Sequence, residues 1–336
     1  MNILFTCAGR RNYLINYFKE VLQGKGLVIA TDMQKSAPAM VDADKSFIVP
    51  AIYDPSYIES LIELIIREDI TAVISLNDLE LPLLSENKER IELTGAKVIV
   101  ASKEAIDIAF DKSKTADFLI ENGLRSPLTY TDLESAEVAL EKGSLQFPLV
   151  IKPRWGSASI GIDFPEDLEE LRLAFQLQKK RLERTILKEA SKADINRAIL
   201  IQEKIQGKEY GMDVLNDFEG NYLGTFVREK LSMRSGETDK AISIIDSRFE
   251  GIGRIIGEKL KHVGNLDCDV LEKNGELYVL ELNPRFGGGY PFSHEAGVNT
   301  PSIYVDWLND VTDIKKHINY KSGIMFSKCD RLLKVN

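Results

Sequence analysis

Three polar residues in the C-terminal part of the chain could hold a divalent cation, and a nearby arginine could bind an oxyanion beside it. Glu281 and Asn283 lie two positions apart in an apolar run, and Asp269 lies in the preceding run. Residues two apart on a strand share a face, and pairing of the two strands could bring Asp269 opposite them. Carboxylate and amide oxygens suit Mg²⁺, which one or two carboxylates plus substrate phosphates usually hold. Arg285 could then neutralise charge on a phosphoryl group in transfer.

A glycine-rich segment provides a second candidate site. Lys152 precedes it, and Gly156 to Gly161 enclose Ser157 and Ser159. Small residues allow backbone N–H groups to approach a polyphosphate, and the lysine supplies positive charge. No Gly-Lys-Ser or Gly-Lys-Thr follows, so the segment is not a Walker A loop. Taken alone, a segment of this composition is more often an ordinary turn.

A short polar hinge follows the next apolar strand. Glu203, Lys204 and Ile205 could offer backbone groups to a nucleotide base, and Glu209 is placed to reach ribose hydroxyls. Locally, a charged loop after a strand is the favoured alternative.

Further charged residues could bind a substrate. Arg228 and Arg234 lie in a charged segment that ends at Lys240, and an arginine can bind a carboxylate bidentately. A solvated hairpin is the alternative. His294 follows the glycine run that contains Gly288 and could be a general base, although a residue at the start of a helix is the favoured interpretation.

The elements that must position these residues fall into two patterns. The first hundred residues alternate short apolar runs with helical periodicity, which predicts a parallel, doubly wound sheet. Ligands of such sheets lie at the carboxyl ends of the strands, a rim that would carry Arg10, Arg11, Asn77 and Asp78. The predicted strands are Asn2–Thr6, Leu27–Thr31, Ser46–Val49, Thr71–Ser75 and Lys97–Val100.

The remainder of the chain is predicted to be α+β with antiparallel strands. Asn274 and Gly275 predict a hairpin turn between the last two of them. The predicted strands are Pro148–Pro153, which proline interrupts, and Ala198–Lys204, Gly211–Leu215, Tyr222–Arg228, Ala241–Ile245, Asn265–Glu272 and Leu277–Asn283. In the first turn of the chain Gly9 is the only glycine, so a GxGxxG dinucleotide motif and a dinucleotide-dependent oxidoreductase are disfavoured.

Composition narrows the class further. The 336 residues carry 43 Lys and Arg against 52 Asp and Glu, a net charge of −9, which argues against general nucleic-acid binding. No apolar run is long enough for membrane insertion, and the N-terminus lacks the features of a signal peptide. The 3 widely spaced cysteines fit buried free thiols in a reducing cytoplasm. We therefore expect a cytoplasmic protein.

In this order along the chain, the lysine, glycine-rich loop, hinge and Glu-Leu-Asn-Pro-Arg motif resemble the ATP-grasp superfamily. The sequence is similar to the ATP-grasp domains of carbamoyl-phosphate synthase large subunits and to the pyrrolysine-pathway ligase. The resemblance implies an α/β and α+β fold, with a Rossmann-like pre-ATP-grasp domain (1–110) before the two ATP-grasp lobes (111–205 and 206–336). Asp269 departs from the synthase pattern, which has glutamine there.

The resemblance also implies a role for each matching residue. Arg285 and Lys152 would act in catalysis, and Asp269, Glu281 and Asn283 would hold metal. The implied nucleotide contacts are Lys112, Lys152, Gly156, Ser157, Ser159, Gly161, Glu203, Lys204, Ile205 and Glu209. The expected substrate contacts are Arg10, Arg228, Arg234, Gly288 and His294.

These roles predict an ATP-dependent ligase that joins a small-molecule carboxylate to an amine. A thiol is the less favoured nucleophile. The reaction would pass through an acyl phosphate and release ADP and phosphate. ATP and Mg²⁺, expected as two ions that Mn²⁺ could replace, would be the cofactors, and a homodimer is compatible with the resemblance. The alternative is a non-catalytic, regulatory nucleotide-binding protein of the same fold.

Overall fold

The structure, a computed structural model, describes residues 1–156 and 161–335. In this part of the chain the strands form three sheets that follow one another in sequence. The first is parallel, whereas the strand pairs of the other two are antiparallel. The predicted change from a parallel to an antiparallel architecture is therefore confirmed.

The first sheet has the strand order β3-β2-β1-β4-β5. Its strands are β1 (Asn2–Thr6), β2 (Leu27–Asp32), β3 (Lys45–Ile48), β4 (Ala72–Ser75) and β5 (Lys97–Ile99). The helices between them are α1 (Asn12–Leu22), α2 (Pro38–Asp42), α3 (Tyr57–Arg67), α4 (Leu81–Glu86) and α5 (Lys88–Glu92). Repeated β-α-β units place the loops after β1 and β4 at one rim.

The second sheet has the order β6-β8-β7. Two helices lead into it, α6 (Lys103–Phe110) and α7 (Lys112–Glu121), and Asp111 caps α7 by accepting from the backbone N–H of Ser113 and Lys114. The remaining elements are β6 (Thr129–Tyr130), α8 (Leu133–Glu141), β7 (Leu149–Pro153), α9 (Leu168–Leu182), α10 (Leu187–Ala190), a 3₁₀ helix (Lys192–Arg197) and β8 (Ile199–Glu203).

The third sheet has the order β13-β12-β9-β10-β11-β14. Its elements are β9 (Lys208–Asn216), β10 (Tyr222–Arg234), β11 (Glu237–Ile244), α11 (Ser247–Leu260), β12 (Asn265–Lys273), β13 (Glu276–Asn283), α12 (Tyr290–Glu295), α13 (Thr300–Leu308), a 3₁₀ helix (Lys315–His317) and β14 (Met325–Ser327). The turn between β12 and β13 is at Asn274 and Gly275, as predicted, and both residues have positive φ.

The strand predicted to end at Arg228 is longer than expected. It continues to Arg234 and pairs with β11 through a turn at Ser235 and Gly236. Alternating side chains of a strand face opposite sides, so a charged sequence can still place individual residues inside the protein. Arg228 is one of these residues: its side chain is 1% exposed, whereas that of Arg234 is 50% exposed.

The first sheet packs directly on the segment that follows β13. Phe18 of α1 makes edge-on ring contacts with Phe286 and Tyr304, and all three side chains are buried. One apolar cluster contains these residues together with β1 and β2 side chains. This packing holds the rim of the first sheet beside the Glu-Leu-Asn-Pro-Arg segment, which is adjacent to Phe286 in sequence.

Two predictions from composition have different outcomes. None of the described helices is long and apolar enough to cross a membrane. The prediction of buried thiols holds for Cys268 but is wrong for Cys329, which is exposed in the segment after β14; Cys7 is partly buried.

Burial of His262 predicts a loss of stability at low pH. The side chain is fully buried, and this desolvation lowers its pKa from the ordinary 6.5 to about 3. Between these pH values the unfolded chain binds a proton that the folded chain does not, so stability is complete above pH 6.5 and falls as the pH decreases. We expect His262→Leu to remove a slope of up to about 1.4 kcal/mol per pH unit from the free energy of unfolding.

Urea denaturation at pH values between 7 and 4 measures this slope. The matched control is His317→Asn, since His317 is partly exposed and lies beside Asp306. An unchanged slope in His262→Leu would contradict the assignment.

Candidate active site

Asp269 and Glu281 face each other across two neighbouring strands. They are register partners in the β12–β13 pair, and a bulge follows Asp269. Asn283 shares the face of Glu281 and its Nδ2 donates to Glu281 Oε1 at 3.4 Å. The structure therefore brings together the three predicted metal ligands, as the spacing and the hairpin turn predicted.

Lys230 links Asp269 to Glu209. Its Nζ donates to Asp269 Oδ1 and to Glu209 Oε1, both at 2.7 Å, and its side chain is 5% exposed. Burial opposes its charge, but the two carboxylates raise its pKa. Burial also raises the pKa of Asp269 to about 6, with Asp267 and Glu281 adding to the rise and Lys230 opposing it. A buried cation thus stabilises an acidic cluster that would otherwise repel itself.

A cleft of about 170 Å³, called here the lysine cleft, lies between the second and third sheets. Two lysines and three acids supply its charges. Its lining residues are Lys112, Lys152, Pro153, Trp155, Gly156, Ile162, Leu187, Glu209, Asp269, Leu280 and Glu281. Apolar side chains for a base together with lysines for phosphates are chemically suited to a nucleotide.

The two lysines of the cleft lie at the ends of different elements. Lys112 begins α7; its Nζ donates to the Gly156 carbonyl and lies 4.0 Å from Glu281 Oε2. Lys152 is in β7, where burial lowers its pKa to about 8, with Lys112 adding to the shift and Glu281 opposing it. A polyphosphate between these lysines would relieve both the burial of positive charge and the repulsion between the ammonium groups.

An ion pair missed in the sequence fixes the geometry of this cleft. Arg154 donates through Nε and Nη2 to the two oxygens of Asp111, each at 2.7 Å. Its guanidinium lies 4.5 Å from the ring centre of Trp155, which lines the cleft. Because Asp111 is the N-cap of α7, this pair ties the end of β7 to the helix that presents Lys112.

The predicted phosphate loop is described only at its ends. Gly156 and Gly161 have positive φ, and the Gly161 carbonyl accepts from Gln178 Nε2 at 2.6 Å. Ser157 and Ser159 lie outside the described residues. Their roles therefore stay predictions.

The predicted adenine hinge lies at the end of β8. Glu203 is its last residue, Ile205 is buried, and the Lys204 Nζ lies 4.6 Å from the ring centre of Phe164. Among the described residues, the lining of the lysine cleft includes Glu209 but not these three. A base-binding role for the hinge stays a prediction.

A second cavity, called here the arginine pocket, adjoins the lysine cleft. Asp269 and Glu281 line both, so the two acids lie where the cavities meet. The pocket is strongly charged. Its lining residues are Arg11, Arg228, Lys230, Met233, Gly236, Glu237, Thr238, Asp267, Asp269, Glu281, Asn283, Arg285, Gly288 and Gly289.

Buried acids hold the two inner arginines of this pocket. Arg228 donates to Asp213 Oδ2 at 2.6 Å and to Asp267 Oδ1 at 2.8 Å. Arg285 donates to Asp78 Oδ2 at 2.5 Å and lies 3.8 Å from Asp267 Oδ2. Burial opposes both positive charges, but these carboxylates raise the pKa of both arginines. Both guanidinium groups are therefore charged and fixed in place.

The glycines after Arg285 permit this close packing. A Cβ on Gly289 would lie 2.2 Å from Arg228 Nη2, and a Cβ on Gly287 would lie 2.0 Å from the Asp267 carboxyl carbon. Gly211, on β9, lies on the Arg228 side chain as well, with a Cβ there only 2.9 Å from the guanidinium carbon. Any side chain at these positions must displace a charged group of the pocket.

Gly289→Ala is therefore expected to destabilise the protein. Displacing the Arg228 guanidinium from its two acids should lower the free energy of unfolding by about 1–3 kcal/mol. Urea denaturation measures this change. Gly251→Ala is the matched control because a Cβ at Gly251, in α11, meets nothing within 4 Å; it should stabilise the helix by about 0.5–1 kcal/mol. Equal effects of the two substitutions would contradict the packing argument.

Three other predicted substrate residues lie outside the arginine pocket. Arg10 and Arg234 line a neighbouring exposed cavity, in which Arg234 pairs with Asp330 at 2.7 Å. His294 lies in α12, at its C-terminal rather than its N-terminal end, and stacks on Tyr17 with ring centres 3.7 Å apart. The interpretation of His294 as a residue at the start of a helix is therefore wrong.

Sequence reasoning missed Asp267 as a site residue. It lies two positions before Asp269 on β12 and so shares its face, which is a signal that alternation alone could have supplied. Asp213, which pairs with Arg228 from the neighbouring β9, carries no such local signal.

Two family models match separate segments of the chain. Residues 3–99 match the family model described as "PylC-like, N-terminal domain", and residues 196–331 match "ATP-grasp in the biosynthetic pathway with Ter operon". The chain is 25% identical over 334 residues to the carbamoyl phosphate synthase large chain of Campylobacter jejuni, an alignment that covers 93% of this chain and 29% of that protein.

Residues 196–331 are thus similar to an ATP-grasp family, as the motifs predicted. Solved structures share the chain's fold: biotin carboxylase from Campylobacter jejuni, in complex with β-γ-ATP, has a TM-score of 0.71 at 19% identity and covers 96% of this chain and 74% of its own. An L-amino acid ligase from Bacillus licheniformis has a TM-score of 0.71 at 18% identity, with coverages of 96% and 79%. The predicted ATP-grasp fold is confirmed, and the chain spans less than a third of the length of the synthase relative.

Proposed function

We propose that this ATP-grasp protein is an ATP-dependent ligase that joins a small-molecule carboxylate to an amine, with a thiol as the less favoured nucleophile. One observation carries the proposal: Asp269 and Glu281 line both the lysine cleft and the arginine pocket. A nucleotide in the cleft and a carboxylate in the pocket would therefore meet at two carboxylates suited to a divalent cation.

The donor set fits Mg²⁺. Asp269, Glu281 and Asn283 offer oxygen atoms on one side of a strand pair, and the Lys230 ammonium already lies against Asp269 as a counter-cation. The described residues contain no group of three or more His, Cys, Asp or Glu that could hold a metal. Oxygens of substrate phosphates would therefore complete the coordination. Bound Mg²⁺ would supply neutralisation of phosphate charge.

The reaction proposed has two steps. A carboxylate oxygen attacks the γ-phosphorus of ATP, the bond to the β-phosphate oxygen breaks, and ADP leaves. An amine then attacks the acyl carbon, phosphate leaves with the bonding electron pair, and the amine loses a proton to solvent. The chain chiefly positions these groups and neutralises charge.

The chain's own residues divide these tasks. Lys112 and Lys152 would hold phosphate oxygens, and Glu209 would bind the ribose. Arg285, fixed by Asp78, would neutralise the acyl phosphate. The nucleotide would lie between two lobes formed by residues 111–205 and 206–336. Residues 1–110 would form a separate domain that precedes both lobes in the chain.

Product analysis tests the proposal. The protein is incubated with ATP and Mg²⁺ and with pairs of carboxylates and amines that include amino acids, uronic acids and nucleotide sugars. ADP and phosphate released only with a particular pair is the expected result. Release of AMP and pyrophosphate would overturn the acyl-phosphate mechanism. Tight binding of Mg·ATP without turnover by any pair would favour a non-catalytic nucleotide-binding protein instead.

A further inference from the structure

Three arginines of the arginine pocket leave one buried nitrogen each without a hydrogen-bond acceptor. They are Arg11 at Nη1, Arg228 at Nε and Arg285 at Nε. In the part of the chain that the structure describes, these are the buried guanidinium nitrogens without a partner. A buried donor without an acceptor costs stability, so three of them at one cavity indicate that the acceptor is a ligand.

Two of these donors are fixed and adjacent. Arg228 and Arg285 approach opposite oxygens of the same Asp267 carboxylate, at 2.8 and 3.8 Å. Arg228 also donates through Nη1 to Asp213, and Arg285 donates through Nη2 to Asp78. These contacts leave the Nε of Arg228 and the Nε of Arg285 without an acceptor. Neither guanidinium group can turn to find another acceptor without breaking its ion pairs.

The third donor comes from the loop that follows the first strand. Arg11 follows β1, and its Nε donates to the Leu76 carbonyl, after β4, at 3.4 Å. Tyr13 attaches the same segment to the pocket, since its hydroxyl donates to the Gly287 carbonyl at 2.9 Å. The rim of the parallel sheet is therefore part of the pocket wall.

Charged groups of both signs surround this region. Lys328, in the C-terminal segment, has a lowered pKa, chiefly because of burial, and the charges of Arg228 and Arg11 lower it further while Glu237 opposes them. The acids that line the pocket include Asp267, Asp269 and Glu281. A singly charged, planar oxyanion satisfies the donors with less repulsion from these acids than a phosphate dianion would meet.

We infer that Arg11 completes, with Arg228 and Arg285, an oxyanion site that binds the carboxylate group of the substrate that ATP phosphorylates. This inference rests on the proposed function and deepens it by assigning a residue of the loop between β1 and α1 to substrate selection. Arg10, although adjacent in sequence, lines the neighbouring cavity instead.

Titration with acetate, the simplest carboxylate probe, tests the site. The dissociation constant is measured by NMR in the presence of ADP and Mg²⁺ for the wild type and for Arg11→Gln. We expect the substitution to weaken acetate binding about 10-fold or more, because a charge-assisted donor is lost. The affinity for ADP should not change, since Arg11 does not line the lysine cleft.

Two comparisons sharpen the test. Arg11→Lys should retain part of the affinity, and Arg90→Gln, an exposed arginine of α5 that pairs with Glu59, should behave as the wild type. Equal acetate binding in the wild type and Arg11→Gln, or none in the wild type, would overturn the inference. Inorganic phosphate bound more tightly than acetate in an Arg11-dependent way would overturn the carboxylate assignment. Arg11-dependent acetate binding by a protein that releases no phosphate from ATP would overturn only the proposed function.

Discussion

Glu281→Gln is expected to reduce Mg²⁺-dependent consumption of ATP on the order of 100-fold or more. Glu281 lies at the junction of the lysine cleft and the arginine pocket, opposite Asp269. The substitution keeps the shape of the side chain but removes the charge through which it would attract a cation to the phosphates. Release of ADP in the presence of the carboxylate and amine that support turnover by the wild type measures the effect.

The control for Glu281→Gln is Glu276→Gln, on the same strand. Glu276 is exposed and pairs with Arg125, so its loss should leave turnover within about 2-fold of the wild type. Calorimetric titration with Mn²⁺ in the presence of ADP should show a corresponding loss of metal affinity in Glu281→Gln alone. Full turnover or unchanged Mn²⁺ binding in that variant would refute the metal assignment.

Arg228→Met is expected to lower the free energy of unfolding by about 3–5 kcal/mol. The guanidinium is 1% exposed and neutralises two carboxylates, Asp213 and Asp267. Methionine fills much of the volume but leaves those acids in the interior without their counter-ion. Urea denaturation at pH 7 measures the loss.

Two controls accompany Arg228→Met: the pH dependence of the destabilisation, and the same substitution at a more exposed arginine. Burial already raises the pKa of Asp213, and removal of Arg228 should raise it further. The destabilisation should therefore be largest above that pKa and shrink as the pH falls and the carboxyl group takes up a proton. Arg234→Met, half-exposed on the same strand, should cost no more than about 1 kcal/mol. A comparable loss in both variants would show that burial of the ion pair is not the cause.

The sequence by itself was sufficient for features that depend on neighbours along the chain. Alternation on a strand places Glu281 and Asn283 on one face, and the Asn-Gly turn sets the register that brings Asp269 opposite Glu281. Repetition of β-α-β units gave the parallel sheet in the same way. These inferences succeed because strand periodicity and turn chemistry are local properties of the backbone.

Only the tertiary structure decided how the pocket is assembled from distant elements. Arg285 meets Asp78, 207 positions earlier, because the rim of the first sheet packs on the segment after β13. The same packing places Arg11 rather than Arg10 in the arginine pocket and moves His294 against Tyr17. Charge in a sequence cannot separate Arg228, which is buried between acids, from the exposed Arg234, because the free energy of burying an arginine depends on which carboxylates the fold brings to it.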